Sequence, residues 1–98
     1  MPYNEHIARA RRLRLLRILH EADGYRLNDI MLGKLLDNYG YNVSNDQLRT
    51  DAAWLSEQGL VTVQDFDDVQ LISLTQRGAD VAAGKITTPG VDRPAPGR

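Results

Sequence analysis

The chain has 98 residues, a formal net charge of −1, 42% hydrophobic residues and no cysteine. That is apolar material for one modest core, and the lack of cysteine excludes a disulfide framework and a thiolate metal site. No apolar run approaches the roughly 20 residues that span a bilayer, and the start, MPYNEHIARARR, lacks the apolar stretch of a signal peptide. The expected location is therefore the cytoplasm, with no membrane contact.

Charge is unevenly spread. Residues 1–26 carry six arginines against Glu5, Glu21 and Asp23, a net of +3. Residues 27–75 carry Lys34 and Arg49 against eight acids, a net of −6, and residues 76–98 return to +2. A chain polarised in this way presents a basic face to an anion, or pairs its halves with each other or with a second copy.

From the N-terminus, apolar spacing predicts a long helix over residues 5–22. Ala8, Leu15, Leu16, Ile18, Leu19 and Ala22 share one broad arc; His6, Arg9, Arg14, Arg17 and His20 share the other. Arg11 and Arg12 interrupt the apolar arc only near the N-terminal half, which predicts that the first two turns project past the core. Leu13 falls on the polar side and is a candidate partner contact. Asp23-Gly24-Tyr25 reads as a turn. A second helix follows over residues 28–39, capped by Asn28, with Ile30, Leu32, Leu35, Leu36 and Tyr39 as its apolar positions. Gly33 inside it marks a close helix crossing, and Gly40 ends it.

The best delimited stretch is VSNDQLRTDAAWLSEQGLVTV, residues 43–63. Ser44 is an N-cap and Gln47 completes an S-x-x-Q capping box; Val43 and Leu48 form the matching hydrophobic staple. Gly59 supplies a left-handed stop, with Leu60 folding back on Leu55. Leu48, Ala52 and Leu55 form the inner side of this helix. Asp46, Arg49, Thr50, Ala53 and Glu57 form the outer side. Trp54, at the margin, reads as a lid over the core. Residues 60–64 and 69–74 are rich in β-branched residues and flank the polar turn Asp65-Phe66-Asp67-Asp68, a β-hairpin pattern. Thr75 caps a short helix over residues 76–83, closed by Gly84. The remainder, KITTPGVDRPAPGR, holds three of the four prolines and is expected to be extended, lying on a neighbouring chain. The expected division is a folded unit over residues 1–84 and an arm over 85–98.

Two helices joined by so short a link form a helix-turn-helix. Helix, helix, turn, helix, two-stranded hairpin, helix resembles the winged-helix order. Leu55 with Glu57-Gln58-Gly59-Leu60-Val61 resembles the L-x-x-x-G-L-V passage from recognition helix to wing, and Leu74-Thr75-Gln76-Arg77-Gly78 resembles the L-T-x-x-G that follows the wing. The arginine-rich start, D-x-A-W-L-x-E-Q-G-L-V and the closing P-G-V-D-R-P-x-P also resemble small winged-helix proteins of Mu-like transposable phages and prophages, some of them labelled as arsenic-repressor-type regulators. The resemblance implies a mostly α (α+β) fold: a three-helix core, a two-stranded wing, a short C-terminal helix and an extended proline-rich arm. It also implies transcription regulation by binding double-stranded DNA, and a homodimer formed through the N-terminal helix and the C-terminal arm.

For duplex binding, the candidates at the start of the third helix are Asn45, Gln47, Arg49 and Thr50. Asn and Gln bond adenine and Arg forks onto guanine in the major groove. The candidate phosphate contacts are Arg9, Arg11, Arg12, Arg14 and Arg17. Electrostatics point the other way: the wing offers Asp65, Asp67 and Asp68 where a phosphate backbone calls for bases. The alternative is a protein-interaction module, with Leu13, Phe66 and those three aspartates as its contacts. Catalysis, a metal, a cofactor and a small-molecule ligand are not expected. His6 and His20 stand about 21 Å apart along one helix, and the acidic turn lacks the glycine and distal glutamate of a calcium loop.

Overall fold

Side-chain caps set where the helices begin. Asn28 accepts the Met31 amide at 2.7 Å, Ser44 accepts the Gln47 amide at 3.0 Å, and Thr75 accepts the Gly78 amide at 3.0 Å. Each satisfies an amide that has no partner inside its helix. The computed structural model describes residues 2–95. It contains α1 (Pro2–Glu21), a 3₁₀ turn (Asp23–Tyr25), β1 (Arg26–Asn28), α2 (Asp29–Asn38), α3 (Asn45–Glu57), β2 (Val61–Phe66), β3 (Val69–Leu74) and α4 (Gln76–Ala82).

The end of α3 forms as the spacing predicts. The Leu60 amide donates to the Leu55 carbonyl at 3.0 Å and the Gly59 amide to the Ser56 carbonyl at 3.0 Å, with Gly59 at φ 77°. This pair of bonds is the Schellman close, and it delivers Leu60, fully buried, straight into β2. Leu15, Leu16 and Leu19 of α1, Leu32 and Leu36 of α2, Leu48, Ala52 and Leu55 of α3, Ile72 of β3 and Val81 of α4 complete one core. The fold is a winged helix.

Four expectations need correction. The two-stranded wing forms as expected from β2 and β3, but a third strand that was not expected, β1, extends its sheet in the order β1-β3-β2, all antiparallel. Strand β1 spans only three residues, and just Leu27 faces inward, opposite Ile72. So short a strand shows no period-2 pattern; β3 supplies its ladder. The wing turn is tighter than the acid run implied. Asp65 and Phe66 belong to β2, paired with Gln70 and Val69, and only Asp67-Asp68 turn, with Asp67 at φ 51°. Asp is among the residues that tolerate that region. Gly33 does not mark a close crossing: a Cβ there would sit 3.6 Å from Leu48 Cδ2, an ordinary contact.

The arm is the fourth. It forms no helix or strand among the described residues, but it turns at Pro89-Gly90, where the Val91 amide donates to the Thr88 carbonyl at 3.1 Å, and it lies on its own domain. Val91 is buried in the core, the Asp92 amide donates to the Arg9 carbonyl at 3.2 Å, and Arg12 Nη1 donates to the Gly90 carbonyl at 2.9 Å. Gly90 runs so close beneath Trp54 that a Cβ would stand 2.7 Å from the edge of the indole. Trp54 is therefore a lid, as expected, and it also clamps the arm. Residues 96–98 of the arm lie outside the described residues.

Candidate functional site

Helix α3 presents Asn45, Asp46, Gln47, Thr50, Ala53 and Glu57 outward. Two of the candidate readers are engaged locally. Thr50 Oγ1 donates to the Asp46 carbonyl at 2.9 Å, and Gln47 Nε2 donates to Asp51 Oδ1 at 3.1 Å. Gln47 therefore serves the capping box with its amide only and turns its side chain along the helix.

Arg49 is the residue most altered by the tertiary structure. Its Nε donates to Asp29 Oδ2 at 2.8 Å and its Nη2 to the Asp68 carbonyl at 2.7 Å. Asp29, the first residue of α2, has no solvent exposure and also accepts the Gln70 amide at 3.2 Å. One guanidinium thus ties the start of α2, the outer face of α3 and the wing turn together. Burial pushes the Asp29 carboxyl up, but hydrogen bonds from Arg49, the Gln70 amide and Asn45, with the Arg49 charge, outweigh it and hold the group below its ordinary value. Turning Arg49 outward to a base would strand a buried carboxylate, which costs about 3–5 kcal/mol. A depressed carboxylate stabilises the fold above its unfolded pKa and loses that contribution as pH falls through the folded one. The stability gap between wild type and Asp29→Asn is therefore expected to be widest at neutral pH and to close below about pH 4. Urea titrations across that range check it; a gap independent of pH overturns it.

The α1 arginines are not a free cationic stripe. Arg11, expected to contact phosphate, is buried and forms a two-pronged ion pair with Asp51, its Nη2 at 3.0 Å from Oδ1. Arg12 lies 4.2 Å over the Trp54 ring and holds Gly90. Arg9 pairs with Asp92 at 3.4 Å, and Arg14 stacks 4.2 Å over the Tyr39 ring. Arg17 is half-buried with no ion pair among the described residues. Arginines interrupting the apolar arc do not mean that α1 overhangs at that point. They mean that α3 and the arm meet them there, and in the N-terminal half of α1 the exposed residues are 3–6. The signal for Arg11 was present: Asp51 sits within the inner Leu48–Ala52–Leu55 stripe of α3, a lone acid on one core face, and Arg11 with Arg12 interrupts the apolar arc of the other.

Among the partner candidates, Leu13 is half-buried and packs on its own core rather than facing out. Phe66 is 51% exposed at the end of β2. Asp65, which accepts Gln70 Nε2 at 3.0 Å, Asp67 and Asp68 surround it. The outer face of α3 and the wing therefore carries Asp46, Glu57, Asp65, Asp67 and Asp68, and its only base, Arg49, is closed inward. Among the described residues no cluster of His, Asp and Glu is arranged to hold a metal ion, and no helix is long and apolar enough to cross a membrane.

No family model matches the chain. Among solved structures, it is similar to hsRosR-S1 in its complex structure, with a TM-score of 0.66 and 21% identity over 84% of this chain and 72% of that one. It is also similar to hsRosR-S4 in its complex structure, with a TM-score of 0.63 and 22% identity over 76% of this chain and 64% of that one. Those likenesses speak to the winged-helix fold and to nothing specific to the arsenic-repressor type. Among proteins by sequence, it is 42% identical over 78 residues to an uncharacterized protein of Haemophilus influenzae, covering 79% of this chain and 76% of the other. It is 42% identical over 93 residues to the uncharacterized protein gp26 of Escherichia phage Mu, covering 95% of this chain and 96% of gp26. With near-complete coverage on both sides, the chain belongs to the family of phage Mu gp26.

Proposed function

We propose that this protein is a phage or prophage regulator that acts in the host cytoplasm through protein contact, docking the outer face of α3 and the wing on a basic partner surface. One observation carries the reading. Arg49, the only base between Ser44 and Gln58, is closed onto Asp29 and the Asp68 carbonyl, and residues 60–74 contain no base at all. Duplex affinity comes mainly from neutralising phosphates, and a face bearing five carboxylates repels them. Phe66, exposed among the wing acids, supplies the aromatic anchor that protein interfaces favour. An arsenic-repressor-type ancestry is compatible with this reading, but a chain without cysteine has no thiolates for metal sensing.

The second reading, a regulator that binds double-stranded DNA, is supported by the fold and by the exposure of Asn45, Gln47 and Thr50 at the start of α3. Under it, Asn45 reads a base edge and Arg14 and Arg17 supply phosphate contacts. A mobility-shift assay with phage genomic fragments at about 50 mM salt, where phosphate contacts are strong, separates the two. The protein reading expects no shift for wild type and a shift for Asp65→Lys/Asp67→Lys/Asp68→Lys, in which the repulsion is reversed. It also expects the wild type, and not that variant, to retain a basic protein from an infected-cell lysate, with release by salt. A wild-type shift abolished by Asn45→Ala assigns the face to DNA instead.

A further inference from the structure

The sheet has two edges, and the chain treats them differently. Strand β1 is three residues long and runs directly into α2, so it offers a neighbouring chain almost no ladder. Strand β2 lies at the other edge and is six residues long. Folded proteins commonly blunt such an edge with proline, lysine, a bulge or a covering segment. Strand β2 holds no proline and no base, and it pairs with β3 one residue to one over its whole length. Among the described residues, no backbone group of a turn or loop bonds to it.

Gln70 fixes which backbone groups of β2 face outward. Its amide donates to Asp29, which directly follows β1, so Gln70 turns its backbone groups away from β2. Asp65, its partner across the ladder, then turns its own amide and carbonyl away from β3. The alternation of an antiparallel pair points the same groups of Val63 and Val61 outward as well. Side chains alternate too. Thr62, Gln64 and Phe66 are exposed on one face, and Asp65 is exposed at the wing end of the other. The acids Asp65, Asp67 and Asp68 crowd that end, and residues 60–74 contain no base.

We infer that β2 receives an extended basic segment of a partner protein as a fourth strand of the sheet. The inference rests on the protein-contact reading above and specifies how that partner binds. Its main chain bonds to the outward groups of Val61, Val63 and Asp65. Its bases lie beside Asp65 and the acidic turn, and its apolar side chains lie beside Phe66 on the opposite face. In such an addition the backbone bonds supply affinity and the alternate side chains supply selection. A second copy of this chain is a poor occupant, because its own β2 brings no base and would set carboxylates beside carboxylates.

Nuclear magnetic resonance of the full chain with a synthetic heptapeptide of alternating lysine and valine, capped at both ends, tests the inference. The peptide is expected to bind, more weakly as salt rises, and to slow amide exchange at Val63 and Asp65 by about tenfold or more. With lysines opposite Asp65 and Val63, the lysine amides face β2 and the valine amides face solvent. N-methylation of the lysines is therefore expected to weaken binding about tenfold or more, and N-methylation of the valines, at the same charge, to leave it nearly unchanged. On the protein, Val63→Pro removes an outward amide and no ladder bond, and should weaken binding likewise. Circular dichroism confirms that this variant is folded; should it not fold, the two methylated peptides carry the test. Binding that leaves both amides unprotected, or that is indifferent to which residues are methylated, overturns strand addition, as does no binding at millimolar peptide. The mobility-shift assay decides the protein-contact reading separately, so failure of the one is distinguishable from failure of the other.

Discussion

Gly78→Ala is expected to unfold the protein or bring it close to unfolding. A Cβ at this position would lie 2.0 Å from the Leu60 carbonyl oxygen and 2.7 Å from Leu74 Cδ1. The first of these is backbone, so no rotamer change relieves it. Nor can that carbonyl move freely, because it accepts the Thr75 amide at 3.1 Å while Thr75 Oγ1 donates to the Gly59 carbonyl at 2.7 Å. Thr75 in turn caps α4 through the Gly78 amide. The L-T-x-x-G motif is thus a junction at which the exit of α3, the end of β3 and the start of α4 share a few atoms. Overpacking such a site costs about 3 kcal/mol or more, against a total stability of about 5–15 kcal/mol for a domain. The melting temperature should fall by about 15 °C or more. Gly33→Ala is the matched control: its Cβ meets only ordinary contact, and in mid-helix it should stabilise by up to about 1 kcal/mol. Thermal melts followed by circular dichroism read both, and a Gly78→Ala melt within a few degrees of wild type would refute the close-approach argument.

Asp51→Ala is expected to be nearly as damaging, through charge instead of volume. Asp51 is 2% exposed and Arg11 is 8% exposed, so truncation strands a guanidinium inside the α1–α3 contact. Breaking a buried pair in this way costs about 3–5 kcal/mol, whereas replacing both partners by apolar residues of similar volume is often neutral or stabilising. Arg11→Met/Asp51→Leu should therefore be far more stable than either single variant, and the double-mutant cycle should show strong coupling. Urea denaturation of the four proteins measures it. If Asp51→Ala loses less than about 1 kcal/mol, the range of surface pairs, the pair is not the buried link described above.

The two predictions rest on features of different legibility. Gly78 stands in a motif visible in the chain, and its place after Thr75 already marks a cap. What the motif cannot say is that the Leu60 carbonyl lies against Cα. The Arg11–Asp51 pair was less visible still. Each residue alone looks like an interruption in an apolar stripe, and only when α1 and α3 are stacked do the interruptions coincide. Arg49 shows the same limit from the other side. On a helical wheel it is the natural reading residue of α3. In the fold it is anchored by Asp29, 20 residues earlier, and by a wing carbonyl, 19 residues later. The acidic wing was readable directly, because a run of aspartates at a turn has nowhere to go but solvent.

By itself the chain determined what depends on neighbours a few residues apart: the caps at Asn28, Ser44 and Thr75, the Gly59 stop, the apolar stripes, the hairpin and hence the winged-helix order. Those signals are local because helix ends and hairpins are satisfied by groups within one turn or one ladder of each other. Only the tertiary structure decided that β1 exists, that the arm returns to Trp54, and that Arg9, Arg11, Arg12 and Arg14 of α1 face carboxylates, rings and carbonyls of their own chain. A charge's function depends on what stands opposite it, and that partner can come from any distance along the sequence.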